Sequence, residues 1–318
     1  MKFSRLYELA INKGIKEDQR SKKDIEKCLS DSKKAYRKAK GPDKVAFDKD
    51  SFKNPFADSK ILNGTGEEEV RNVMVGIDID VGEILLADRL REKGKGVDLV
   101  ISHHPNGRAY AELHKVMHLQ SKLWEKLGFS EKVAEGIMKS RIEQVGRGVS
   151  SANHTRAQDA AKILDIPLMC IHTAADNCVA NFLQKLFNSR KPSKIKDVVR
   201  ILKSIPEYKL GMKNGAGPYI LLGKEKDPVG KVFVDMTGGT SGPDNLFPRL
   251  SQSGVNTVIG MHCKESGYKV AASEFLNYVI AGHISSDTLG LNLLFDAIEK
   301  VHKINFIECS GFKRIRRK

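Results

Sequence analysis

The run Ser102-His103-His104-Pro105 holds the residues of this chain best suited to metal chemistry, because imidazole is the commonest metal-ligating side chain. The two histidines follow an apolar run, Leu99-Val100-Ile101, of the kind that forms a strand covered on both faces. Pro105 has no backbone donor and turns His104 away from helix, so the strand ends there. The pair is thus expected at a strand's C-terminal end, the edge where open α/β sheets bind ligands. Neighbouring side chains on extended chain point to opposite sides. If both bind metal, each more naturally serves its own ion. The competing reading is a pair of polar turn residues.

Two further strand ends repeat the pattern. The apolar stretch Ile166 to Ile171 runs into His172-Thr173-Ala174-Ala175-Asp176-Asn177, and Asn277 to Ala281 runs into Gly282-His283-Ile284-Ser285-Ser286-Asp287. In each, an aspartate follows a histidine four residues on. Thr173, Asp176 or Asp287 could each merely cap the helix that follows. Strand ends that repeatedly present His, twice with Asp at the same spacing, are harder to assign to capping alone. Together His103, His104, Asp176, His283 and Asp287 offer imidazole nitrogens and carboxylate oxygens, a set suited to Zn, Fe, Mn or Co and unsuited to Cu(I) or an all-oxygen Mg cage. They are too many for one tetrahedral ion that keeps an open position. They suit two divalent ions (Zn, Fe or Mn) about 3.5–4 Å apart, sharing a carboxylate and a bridging water. The chemistry implied is hydrolysis by a metal-activated hydroxide.

Weaker signals surround these. Asp78 ends the predicted strand Val73 to Ile77, as either a helix cap or a participant in chemistry. His114 and His118 stand four apart on a predicted helix over 111–127, but with no carboxylate at matching spacing they are expected to be ordinary histidines. The loop Thr237-Gly238-Gly239-Thr240-Ser241-Gly242-Pro243 can present backbone donors to a phosphate, yet it has neither a P-loop lysine nor GxGxxG spacing. A tight turn is its default reading. His262 and Glu265, just past the predicted strand Val255 to Met261, are candidates for acid–base work.

The elements that must position these groups alternate between strand and helix. Strand 73–77, helix 81–93 and strand 98–102 make a βαβ unit, so these strands are expected to be parallel. Residues 1–66 are predicted to be a helical N-terminal extension. It has an amphipathic helix closed by Gly14, a charged helix from Lys22 to Lys40, and a loop from Gly41 to Gly66. A main α/β domain is expected over 67–190 plus 275–318, with a smaller inserted α/β domain over 191–274 after the basic, proline-containing boundary near Ser189 to Lys196.

The 318 residues carry a formal net charge of +15, which favours anionic partners: a small phosphorylated substrate, or nucleic acid. The basic residues crowd Lys22 to Lys44 and Lys313 to Lys318, without the interleaved aromatics of a stacking platform for single strands. Solvated surface is the better account of both. Five cysteines without a CxxC pair suit free thiols in a reducing cytoplasm. No apolar run is long enough to span a membrane, and the N-terminus lacks a secretory pattern, so a cytoplasmic protein is expected.

The Ser-His-His-Pro run, His172-Thr173-Ala174-Ala175-Asp176 and Ala281-Gly282-His283-Ile284-Ser285-Ser286-Asp287, in this order, resemble the NIF-three-like (NGG-interacting-factor-like) family over about residues 70–310. The resemblance implies two α/β domains, a dinuclear metal centre near their junction, and homo-oligomers, commonly ring-like hexamers. It gives His103 and His104 one metal each, makes Asp176 and His283 ligands, and puts Asp287 where the family usually has a bridging Glu. His172 becomes a neighbour of the site, with His262 and Glu265 lining it. The expected function is a metal-dependent hydrolase acting on a phosphorylated or nucleotide-like compound. The alternatives are a non-catalytic regulatory or metal-handling protein, and a ring-opening activity of the GTP cyclohydrolase type.

Overall fold

Two sheets of the same design frame the molecule in the computed structural model, which describes residues 1–317. β1 (Lys60–Asn63), β2 (Asn72–Gly76), β3 (Leu99–Ser102), β4 (Leu168–Cys170) and β9 (Asn305–Glu308) form the first, in the order β1-β4-β3-β2-β9. β5 (Tyr219–Leu222), β6 (Lys231–Asp235), β7 (Val255–Gly260) and β8 (Asn277–Ile280) form the second, in the order β5-β8-β7-β6. Each sheet is parallel except for its leading strand, β1 or β5, which pairs antiparallel at the edge. The order of the first four strands therefore recurs in the next four. The fold is α/β with two mixed sheets.

Helices Thr173–Arg190 and His283–Glu299 leave β4 and β8 and pack side by side between the sheets. Ala174, Ala175, Leu291, Leu294 and Phe295 pack on Val73, Val75, Ile101 and Met169 of the first sheet. Val179, Leu183 and Leu289 pack on Val234, Ile259 and Val279 of the second. The alternate residues Met74, Val100 and Leu168 face outward onto the helices Val81–Glu92 and Arg156–Ile163. Their strands are thus buried on both faces, which is why they read as continuous apolar runs.

Departures from the sequence reading have local causes. β1 lies inside the stretch expected to be loop, because four residues headed by Lys60 are too short for alternation to register. The first helix runs Phe3–Glu17, straight through Gly14. Gly14 is there for close packing rather than as a stop: a Cβ would lie 2.6 Å from Ala174 Cα. The helix expected over 111–127 breaks into Leu113–Val116 and His118–Glu125, and a further helix, Pro206–Lys213, starts on a proline suited to a first turn. β8 belongs to the second sheet and β9 to the first, so sheet membership changes within 275–318. No described helix is long and apolar enough to cross a membrane.

The basic C-terminus, expected as a solvated tail, is instead a strap. Phe312 is buried. Arg314 pairs with Asp296 and Glu299 at 2.5 and 2.6 Å, Arg316 pairs with Glu299, and Arg317 grips the buried Glu207 through both carboxylate oxygens, at 2.6 and 2.7 Å. Lys318 lies outside the described residues. Removing one partner of a buried ion pair strands the other, whereas exposed pairs contribute little. Asn292 still donates to Glu207, which softens the loss. Arg317→Ala should therefore cost about 2 kcal/mol in chemical denaturation, while Arg316→Ala should stay within about 0.5 kcal/mol. Equal, small effects from both would contradict the strap.

Candidate metal centre

The strand pairing of β3 continues one step past its end. His103 N donates to Gly76 O at 3.0 Å and His104 N to Ile77 O at 2.9 Å. Both imidazoles are thereby anchored by sheet backbone rather than by a free loop. The two aspartates come from the starts of the central helices, which begin at Thr173 and His283. Neither Asp176 nor Asp287 is an N-cap, so capping does not explain them. Their carboxylates stand at the positive end of a helix, where anions are favoured. The turn that allows His283 to open its helix directly after β8 requires Gly282, which has φ +109° and whose Cβ would lie 2.9 Å from Ala216 O.

These groups meet. His103 Nε2 stands 3.4 Å from Asp176 Oδ1 and 3.5 Å from Asp287 Oδ1. Asp287 Oδ2 stands 3.4 Å from His104 Nε2 and 3.6 Å from His283 Nε2. Such separations are long for hydrogen bonds. Two ligands held at about 2.0–2.1 Å from a tetrahedral ion lie about 3.4 Å from each other. Asp287 and His103 are fully buried, and His103 Nε2, Asp176 Oδ1 and both Asp287 oxygens have no hydrogen-bond partner among the described residues. Buried polar atoms left unpaired cost about 1–3 kcal/mol each. A cation among them would satisfy all four, and His103 with Asp176 and Asp287, or His104 with His283 and Asp287, are groups that could hold one.

The Nδ1 atoms of His103, His104 and His172 are spoken for. His103 Nδ1 is 2.9 Å from Ile171 O, His104 Nδ1 is 2.6 Å from Asp78 Oδ1, and His172 Nδ1 is 2.8 Å from Asp58 Oδ2. Each such contact fixes the tautomer that leaves Nε2 free as a donor atom, the usual arrangement behind ligating histidines. Burial by itself lowers the His103 pKa, but the charge of Asp287, with Asp176, overrides it and holds the imidazolium well above its ordinary range. Burial likewise works to raise Asp287, yet His103 and His104 hold it well below the usual carboxylate range. His283 and His262 are lowered by burial.

Of the residues singled out from sequence, His103, His104, Asp176, His283 and Asp287 converge on this one cluster. Asp78 belongs to it through His104, while His172 forms with His103 and His104 a further group that could hold a metal, its Nε2 3.8 Å from Asp176 Oδ2. The His262 ring lies 4.9 Å from that of His283 and lines the adjoining cavity. Glu265 points elsewhere: its carboxylate is exposed and pairs with Lys269 at 3.5 Å. His114 and His118 fall on separate short helices and join no metal-holding group among the described residues. Asp58 was missed. It is fully buried and holds both His172 and Thr173 Oγ1, yet in sequence it is one more aspartate in a loop rich in Asp, Ser and Pro. The cavity over the cluster measures about 440 Å³, with walls from Phe247, Tyr278 and the 237–243 loop. Asp235, also on its wall, is pushed up to about 6 by burial.

No family model matches the chain, and no curated protein does either. Solved structures do. A NIF3 superfamily protein from Sphaerobacter thermophilus is similar at 23% identity and TM-score 0.69, over 90% of this chain and 98% of that one. Reduced HcgD from Methanocaldococcus jannaschii aligns at 15% identity and TM-score 0.48, over 79% and 87% of the two chains. TTHA1606 from Thermus thermophilus aligns at 16% and 0.45, over 79% and 86%. The first of these likenesses establishes that the chain has a NIF3-like fold.

Proposed function

We propose that this cluster holds two divalent ions and that the protein is a metal-dependent hydrolase of phosphorylated or nucleotide-like compounds. The observation that carries the reading is the placement of Asp287, whose two buried oxygens face different imidazoles. On this reading His103 and Asp176 would hold one ion and His104 and His283 the other, with Asp287 contributing an oxygen to each. Aspartate is a methylene shorter than the glutamate the resemblance implies, but the facing distances of 3.4–3.6 Å on both sides leave it within reach of two ions. Two ions so placed lower the pKa of water and polarise a phosphoryl or carbonyl oxygen.

The chain's own groups do the rest. Asp78 and the Ile171 carbonyl aim His104 and His103. Asp58 and His172 brace Asp176. His262, whose pKa is lowered by burial and by the adjacent His283, would carry a proton on the cavity side of the cluster. Phe247 and Tyr278 supply flat apolar wall to a ring. The resemblance adds a homo-oligomer, at its fullest a ring-like hexamer.

Elemental analysis should find close to two ions per chain, both lost in Asp287→Ala and one in His283→Ala. Unchanged content in Asp287→Ala would remove the bridging role. Metal uptake should also release protons. In metal-free protein His103 is held protonated, and its contribution to stability is full below the unfolded pKa and disappears as pH rises through its raised folded value. Asp287 contributes the reverse: its share is present above the ordinary carboxylate range and is lost as pH falls through its depressed folded value. A cation must displace the His103 proton, so apparent metal affinity should fall about tenfold per pH unit below that raised pKa. Calorimetry in buffers of differing ionisation enthalpy reads the released proton, and none released at neutral pH would contradict the electrostatics. Finally, a panel of phosphomonoesters, phosphodiesters and nucleotides should show turnover that a chelator abolishes and Mn or Zn restores. Silence across that panel from fully loaded protein would favour the non-catalytic reading.

A further inference from the structure

The loop from Gly238 to Gly242 is held through its carbonyls. Gln120 Nε2 donates to Gly238 O at 3.0 Å and to Thr240 O at 2.6 Å, and Arg141 Nε donates to Ser241 O at 3.0 Å. Its carbonyls are thus largely taken. Its amides are not: no N–H from Gly238 to Gly242 donates to an acceptor among the described residues. The loop forms part of the wall of the metal cavity. Beyond its far end, Gly242 and Pro243 also border a second groove of about 440 Å³.

That groove is cationic. Arg141, Arg147 and Lys264 line it, and none has a carboxylate within ion-pair distance among the described residues, whereas the arginines of the C-terminal strap do. Lys264 borders both the groove and the metal cavity. Arg141 is half-buried, with one nitrogen on Ser241 O and another on Gln144 at 2.8 Å. Burial and the neighbouring Arg141 charge lower the Lys264 pKa, against a smaller opposing pull from Asp244. Asp244 is the one acid lining the groove; it makes no ion pair with Arg141 or Lys264, though its charge partly offsets theirs. Free backbone donors beside paired cations are the chemistry that binds phosphate.

We propose that the Gly238–Gly242 loop, with Arg141 and Lys264, is a phosphate-binding subsite that holds a phosphate of the substrate apart from the metal cluster. The substrate would then carry a phosphate away from the bond the metal cluster acts on. That assignment of the phosphate to a substrate rests on the hydrolase reading above; the subsite itself does not need the metals.

The test uses the full chain and inorganic phosphate, titrated by calorimetry and by 31P NMR, in metal-loaded and in chelator-stripped protein. Stripped protein should still bind phosphate. Arg141→Ala combined with Lys264→Ala should weaken that binding at least tenfold, and the exposed Arg147→Glu, which leaves the loop contacts intact, should weaken it severalfold. His104→Ala should leave it unchanged. Melting curves within a few degrees of the parent qualify each variant, and Arg147→Glu carries the test if the double variant does not fold. Phosphate that binds only to metal-loaded protein and is lost in His104→Ala would overturn the subsite while leaving the metal centre standing. Binding to stripped protein that none of the groove substitutions alters would overturn it too. Binding with the expected variant pattern in a protein that takes up no metal would keep the subsite and remove the hydrolase reading.

Discussion

A buried carboxylate with unpaired oxygens must be neutralised, and Asp287 is such a group. Protonating it would leave its other oxygen facing imidazoles with nothing between. Pairing it with His103 alone, at 3.5 Å, uses one oxygen poorly and the other not at all. A metal ion held against it could answer both needs, because charge inside a protein is tolerated when it is coordinated. The other features of the centre follow from that requirement: the outward nitrogens of His103, His104 and His172 are fixed by a carbonyl or a carboxylate, so that their inner nitrogens are free.

The fold meets the requirement by using one design twice. The strand order β1-β4-β3-β2 recurs as β5-β8-β7-β6. The fourth strand of each set feeds a central helix whose first turns carry an aspartate, Asp176 or Asp287. The third strand of each set ends in histidine: His104 stands two residues past β3, and His262 two residues past β7. The two central helices lie against each other, so the ligand-bearing ends of both halves face a common point. Packing between the sheets therefore sets ligand distances, and the core and the site are a single structural problem.

Much of this was legible in the sequence, because the informative signals were local. An apolar run ending in His-His-Pro, and a histidine four residues ahead of an aspartate after each of two further runs, mark strand ends without any knowledge of how they meet. Read as helix caps, Asp176 and Asp287 would precede the two central helices, which instead begin at Thr173 and His283, because these first turns look like polar turn in sequence. What stayed hidden depends on long-range contact. Asp58 matters through a histidine 114 positions away, and no spacing rule reaches that far. The C-terminal arginines form a charge run in sequence, yet their partners Glu207, Asp296 and Glu299 come from two separate helices. Glu265 shows the reverse case: it follows His262 closely along the chain, yet it opens a helix with its carboxylate exposed and paired with Lys269.

Anomalous diffraction from crystals of protein loaded with Zn or Mn tests the central claim most directly. The account predicts two anomalous peaks about 3.5–4 Å apart, one beside His103 and Asp176, the other beside His104 and His283, with an oxygen of Asp287 on each. A single peak bound by other residues, or no peak with Asp287 hydrogen-bonded as a neutral acid, would contradict it.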